Sequence, residues 1–121
     1  MSRPTPIRRS IPMMGEIWDV DFDPQVGREQ GGRRPALVIS HDPFNRAPNG
    51  LHFVVPMTST DRGLRYQVPV DPPEGGLTAR SVIMCEQAKS TSIQRFIRYR
   101  GQLTPETVER VQAMVAEFLD R

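Results

Sequence analysis

The sequence predicts a mainly β protein with one C-terminal helix, built as a small barrel or sandwich. Three observations carry that expectation. Apolar residues alternate with acidic ones early in the chain, an unbroken apolar run follows, and the pattern changes to a helical period after Thr104.

In Glu16–Phe22, Trp18, Val20 and Phe22 alternate with Asp19 and Asp21, the period of a half-buried strand. Pro35–Ser40 holds Ala36-Leu37-Val38-Ile39, the pattern of a strand buried on both faces. Leu51–Met57 reads as a third strand, Tyr66–Val70 and Ser81–Cys85 as shorter ones, and Arg98–Gly101 as another. The chain holds twelve prolines and nine glycines, and many punctuate these pieces as turn chemistry, in Asp23-Pro24, Gly31-Gly32, Pro48-Asn49-Gly50, Asp71-Pro72-Pro73 and Gly75-Gly76. Repeats and low-complexity tracts are absent.

At the end of the chain Thr104 is placed to cap a helix, Pro105 suits its first position and Glu106 faces the positive end of its dipole. Leu103 and Val108 are spaced for a hydrophobic staple. Val108, Val111, Val115, Phe118 and Leu119 then form one apolar stripe, expected to pack on the sheet as core.

Length and composition narrow the function. A chain of 121 residues is expected to form one domain, residues 13–121, behind a basic tail, residues 1–12, which holds Arg3, Arg8 and Arg9 but no apolar signal segment. No apolar run approaches the roughly 18 residues of a membrane span. Cys85 is the only cysteine, which excludes an intrachain disulfide and fits a reducing, cytoplasmic setting. With His41 and His52 scattered and no acidic cluster, neither a metal nor a cofactor is expected. The net charge is only +2, but Arg28, Arg33, Arg34 and Arg46 form one group and Arg95, Arg98 and Arg100 a second. Local arginine excess attracts phosphate, although from charge alone a solvated hairpin face is the simpler account.

The familiar catalytic constellations are missing: no nucleophile elbow, no phosphate-binding loop ending in Gly-Lys-Ser/Thr, no zinc-protease helix. Cys85 closes an apolar segment and reads as a small core residue. His41 precedes Asp42-Pro43 and reads as a turn or capping residue. His52 reads as surface-facing or hydrogen-bond-satisfied rather than as a general base. The segment Gly27-Arg28-Glu29-Gln30-Gly31-Gly32-Arg33-Arg34-Pro35 is richer. Read alone, a plain hairpin turn is its simpler account. Yet Arg34 stands just before the proline that opens a buried strand, where a guanidinium meets a phosphate with defined geometry. Thr58-Ser59 and Glu86-Gln87 end two other strands in the same manner. Converging on one barrel rim, these strand ends would make a site that none makes singly.

Taken in order, these segments resemble the MazF/PemK toxin family. Gly15-Glu16-Ile17-Trp18, Asp21-Phe22-Asp23-Pro24 and Gly27–Pro35 running into Ala36–Ser40 resemble its opening. Phe44-Asn45-Arg46, Val54–Ser59, Gly75-Gly76-Leu77, Ser81–Gln87 and Gly101-Gln102-Leu103 continue it, so the likeness spans about Met14 to Leu119. The resemblance implies a small SH3-like antiparallel barrel with a C-terminal helix, a homodimer, and a cognate antitoxin partner. It implies a metal-independent endoribonuclease that cuts single-stranded RNA (mRNA) at a short sequence, leaving 2′,3′-cyclic phosphate and 5′-hydroxyl ends.

It also implies roles. Arg34 matches the catalytic arginine, Thr58 the catalytic threonine, and Glu29 is a candidate base; Arg28, Gln30, Arg33, Phe44, Arg46, Ser59, Glu86, Gln87 and Lys89 complete the expected RNA-contacting set. Trp18 and Phe22, though aromatic, are expected in the core. Lys89 stands where the family usually has arginine and Ser92 where it usually has aspartate; lysine keeps the charge but lacks the planar fork that a bidentate contact needs. Two other readings stay open. One is a non-catalytic toxin of this fold that inhibits DNA gyrase, which needs no Arg34–Thr58 pair. The other is a barrel that binds RNA or peptide without reaction.

Overall fold

The computed structural model describes residues 11–24, 27 and 31–119. It contains β1 (Glu16–Asp21), β2 (Arg33–Val38), a short helix α1 (Asp42–Asn45), β3 (Leu51–Thr58), β4 (Gln67–Val70), β5 (Ser81–Met84), β6 (Lys89–Ser92), β7 (Phe96–Gln102) and α2 (Pro105–Glu117). All pairings are antiparallel, in the order β4-β5-β3-β2-β1-β7, with β6 paired to β3 off that path.

β3 is the branch point. Leu51–Val54 pair with β6, whereas Met57 and Thr58 pair with β5. Splitting one edge between two partners coils the sheet into an open SH3-like barrel whose ladder ends at β4 and β7. A 3-10 turn, Glu74–Gly76, covers β7 by packing instead of hydrogen bonding. There the backbones nearly touch: Gly76 has φ +70°, and a Cβ on it would lie 2.2 Å from the Arg100 carbonyl oxygen. Only glycine permits that approach.

The unbroken run in β2 is buried on both faces because it separates two apolar clusters. Leu37 and Ile39 join Ile17, Val55, Met57, Ile83 and Val111 beneath α2. Ala36 and Val38 join Trp18, Val20, Phe22 and Val54 on the other face. Each fully buried Leu or Val contributes roughly 1.5–3 kcal/mol. Trp18 and Phe22 are core, as expected, and the Trp18 ring meets Phe96 and Tyr99 edge-on.

α2 begins as the sequence anticipates. Thr104 Oγ1 accepts from the Thr107 N–H at 3.3 Å, Pro105 follows, and Leu103 and Val108 share one cluster. The expected stripe is shorter than the helix. Val108 and Val111 are buried and Val115 packs partly against the core, but Phe118 is 48% and Leu119 81% exposed, past the last helical residue, Glu117. Gln112 donates instead to the Ile39 carbonyl at 2.9 Å, tying α2 to the end of β2.

Two elements have no counterpart in the sequence expectations. α1 is one turn, capped by His41 Nδ1, which accepts from the Phe44 N–H at 3.3 Å; the capping reading of His41 holds. β6 carries Lys-Ser-Thr-Ser, with no apolar alternation to reveal it. The surface-facing alternative for His52 is corrected: its side chain is fully buried and Phe53 points out, 48% exposed. His52 Nε2 donates to the Pro12 carbonyl at 2.9 Å, while Nδ1 has no partner among the described residues. The expected tail falls in residues 1–10 outside the described part, apart from Ile11 and the buried Pro12. Among the described residues no helix is long and apolar enough to cross a membrane.

Candidate functional site

The strand ends meet at one rim. Arg34, second in β2, is half-buried, and its guanidinium is held from two sides. Nε donates to the Gly31 carbonyl at 3.1 Å and one Nη to the Met57 carbonyl at 3.3 Å. Those acceptors belong to the β1–β2 connection and to β3, so the planar group is fixed between two elements. Among the described residues no carboxylate pairs with it, which leaves its charge for a ligand. Met57 is followed by Thr58, whose Oγ1 accepts from the Thr60 N–H at 3.2 Å and keeps its own proton to donate.

Arg34 and Thr58 form the shared wall of two clefts. The smaller, about 340 Å³, is lined by Arg33, Arg100, Ser59, Thr78 and Ser81 around that wall; among the described residues no acidic side chain lines it. The larger, about 660 Å³, is lined by Thr60, Arg62, Tyr66, Gln67, Glu86 and Gln87. One cleft is cationic and rich in hydroxyls. The other carries an aromatic ring, amides and a carboxylate.

The surroundings hold these walls in place. The Phe22 N–H donates to the Gly32 carbonyl at 2.9 Å, and the Gly32 N–H to Asp23 Oδ1 at 2.7 Å, closing the base of the β1–β2 connection. Arg95 donates to the Asp21 and Asp23 carbonyls from outside. Beyond β3, Arg65 pairs with Glu117 at 2.6 Å and Tyr66 meets Phe118 edge-on, docking the segment after Thr58 on α2. Arg80 bridges Asp71 and Asp61, which keeps its guanidinium charged more firmly than usual. Cys85 is buried, and desolvation, with Glu86 nearby, pushes its thiol up to about 12, so it is protonated and inert at neutral pH.

Of the residues expected at the site, Arg33, Arg34, Thr58, Ser59, Glu86 and Gln87 come together here. Phe44 and Arg46 line neither cleft; they belong to the α1 turn, where Phe44 faces the ring of Phe53. Lys89 sits over the Phe22 ring, 5.5 Å from its centroid, and lines a separate hollow with Arg95 and Thr91. Arg28, Glu29 and Gln30 lie outside the described residues. Among the polar residues of the two clefts, sequence reasoning did not name Thr60, Arg62, Tyr66, Gln67, Thr78, Ser81 or Arg100 as site residues. Arg100 left a trace as a member of the second arginine group, and Arg62 lies in the loop Asp61–Arg65, whose geometry the sequence offers for RNA readout.

Fold and rim together define a class: a small open barrel with one packed helix, carrying a fixed guanidinium and hydroxyls at one rim. The family model for the PemK-like, MazF-like toxin of type II toxin-antitoxin systems matches residues 13–119. The chain belongs to that family. It is 32% identical over 110 residues to the endoribonuclease toxin MazF of Escherichia coli, covering 90% of this chain and 95% of the relative. It is 33% identical over 98 residues to the endoribonuclease EndoA of Bacillus subtilis, covering 80% and 84%. Among solved structures, MazF from Deinococcus radiodurans superposes with a TM-score of 0.80 at 28% identity, over 92% of this chain and 98% of that one. A MazE-MazF structure from the same organism gives 0.74 at 28% identity, over 92% and 97%.

Proposed function

We propose that this chain is a cytoplasmic toxin endoribonuclease, active as a homodimer, that cuts single-stranded RNA at a short specific sequence and is restrained by a cognate antitoxin. The observation that carries this reading is the Arg34 guanidinium, fixed by two backbone carbonyls beside Thr58 at the junction of two clefts. The relatives' names as endoribonucleases and the MazE-MazF structure support it.

The chemistry follows from the groups present. The substrate's 2′-oxygen attacks the adjacent phosphorus as its proton passes to a base, and negative charge builds on the non-bridging oxygens. The bond to the 5′-oxygen then breaks, that oxygen takes a proton, and the ends are a 2′,3′-cyclic phosphate and a 5′-hydroxyl. Arg34 acts by electrostatic stabilisation of the phosphorane, because a guanidinium keeps its proton in water and offers a fixed fork of N–H donors. Thr58 donates its hydroxyl to a second phosphate oxygen. Glu29 is the base in this scheme, and Glu86, on the wall of the larger cleft, contacts RNA there with Gln87. Unpaired bases suit a cleft with an aromatic ring and amides, since a single strand exposes both ring faces and hydrogen-bonding edges.

The test is to incubate purified protein with a long RNA in chelator and map the new ends. Cuts at one recurring short sequence, with 5′-hydroxyl and cyclic-phosphate ends, are expected. Intact RNA, or cutting that stops in chelator, overturns the reading.

A further inference from the structure

The smaller cleft holds more positive charge than the cleavage step uses. Arg100 enters it from β7, with its side chain only 23% exposed and one Nη held 3.3 Å from both oxygens of Asp19. Asp19 also binds Arg98 Nε at 2.9 Å. One carboxylate thus faces two guanidiniums and neutralises at most one. Among the described residues only one nitrogen of Arg100 is engaged, so most of its N–H donors face the cleft without a partner there.

The opposite wall is brought there by the Gly76 crossing, where backbone meets the backbone of Arg100 and Gly101. That crossing delivers Leu77, Thr78 and Ala79 beside Arg100. Thr78 and Ser59 are exposed hydroxyls with no hydrogen-bond partner among the described residues. No aromatic side chain lines this cleft, so it gives a base nothing to stack on. Its chemistry is that of an anion seat.

We propose that the smaller cleft binds a second phosphate of the same RNA strand, next to the scissile one, with Arg100 as its fixed counter-charge and Thr78 and Ser59 as donors. This rests on the endoribonuclease reading. Because Arg34 and Thr58 wall both clefts, the scissile phosphate sits at the junction, its neighbour beside Arg100, and the readable bases on the Tyr66 side. Contacts to a phosphate away from the reacting bond serve ground state and transition state alike, so they set KM more than kcat.

The experiment uses the full chain and an RNA oligonucleotide carrying the mapped cut sequence, with 2′-deoxyribose at the cut to prevent attack. Each linkage in turn is made a neutral methylphosphonate, and binding is read by fluorescence anisotropy. For wild type, neutralising one linkage adjacent to the scissile one should weaken binding about tenfold. In Arg100→Gln the same neutralisation should have no further effect, and the slope of log K against log salt should fall by about 0.7. Cleavage of normal RNA by Arg100→Gln should show raised KM with kcat nearly kept. Thr78→Val, which leaves the Asp19 pairs intact, should lose sensitivity at the same linkage, so a folding defect in the arginine variant cannot decide the matter. If both variants stay as sensitive as wild type at every linkage, the subsite is wrong while the cleavage reading stands. If wild type neither cuts nor binds RNA, the cleavage reading falls and the subsite with it.

Discussion

Replacing Arg34 by alanine separates chemistry from folding. The side chain is half-buried and uses two of its five N–H donors on the Gly31 and Met57 carbonyls, leaving three for a phosphoryl group. Losing two such hydrogen bonds costs about 1 kcal/mol each, and water reaches the vacated carbonyls at this open rim, so the variant should fold. Catalysis should suffer far more. A single donor aimed at developing charge supplies about 10²–10³ in kcat, and a guanidinium acting on a phosphoryl transition state about 10³–10⁵. Arg34→Ala should therefore lower kcat at least about 10³-fold with an unchanged circular dichroism spectrum. Arg34→Lys, which keeps the charge without the planar fork, should recover only part of that loss. The assay is single-turnover cleavage of a labelled oligonucleotide, beside a thermal melt. If Arg34→Ala is folded and cuts within about threefold of wild type, the argument from fixed charge fails.

Three further outcomes follow. Thr58→Val keeps the shape, removes the donor and the acceptor for the Thr60 N–H, and should lower kcat by about 10²-fold in the same assay. Burial outweighs the Pro12 carbonyl and Glu16 in holding the His52 pKa below 6.5, so below that pH the unfolded chain takes up a proton that the folded one refuses. Stability in urea should fall from pH 7.5 to 5.5, and a flat profile would show that His52 is not buried neutral. Gly76→Ala places a Cβ against the Arg100 carbonyl at positive φ, and should cost at least about 2 kcal/mol, read as a drop of roughly 10 °C in Tm.

The legible parts of the fold are those where one residue's fate depends on its near neighbours. β1 alternates because one face meets Val38 and Val54 and the other carries Asp19 to its arginines. Residues 36–39 are continuously apolar because two clusters flank them, and Thr104-Pro105-Glu106 announces α2 because capping is local. β6 was hidden because its stability comes from main-chain pairing with β3, which Lys-Ser-Thr-Ser does not advertise. For His52 the sequence left two alternatives open, surface-facing or hydrogen-bonded, and local pattern does not choose between them because its partner, Pro12, is 40 residues away. The site was legible only through its strand ends. Arg34, Thr58 and Glu86-Gln87 carry chemistry at suggestive places, whereas Arg100 and Thr78 meet through a glycine crossing that no local pattern signals.

That contrast follows from where stability resides. Both apolar clusters draw on β1, β2 and β3, and β2 and β3 reach the rim at Arg34 and Thr58. Arg34 stands two residues from buried Ala36, and Thr58 directly follows buried Met57. The core therefore fixes the backbone at the site without using the site's own side chains. A rim residue here is free to be chosen for charge, because the strand beneath it is already held. The same arrangement limits the chain. With one modest core, precision reaches only as far as a strand end or a tight crossing extends it. The rest of the rim is held by Arg65–Glu117 and by Arg80 with Asp61 and Asp71, exposed ion pairs worth little each. Under the proposed function, that division puts recognition of RNA sequence in the loosely held walls of the larger cleft, and the bond-breaking step in the part the core holds firmly.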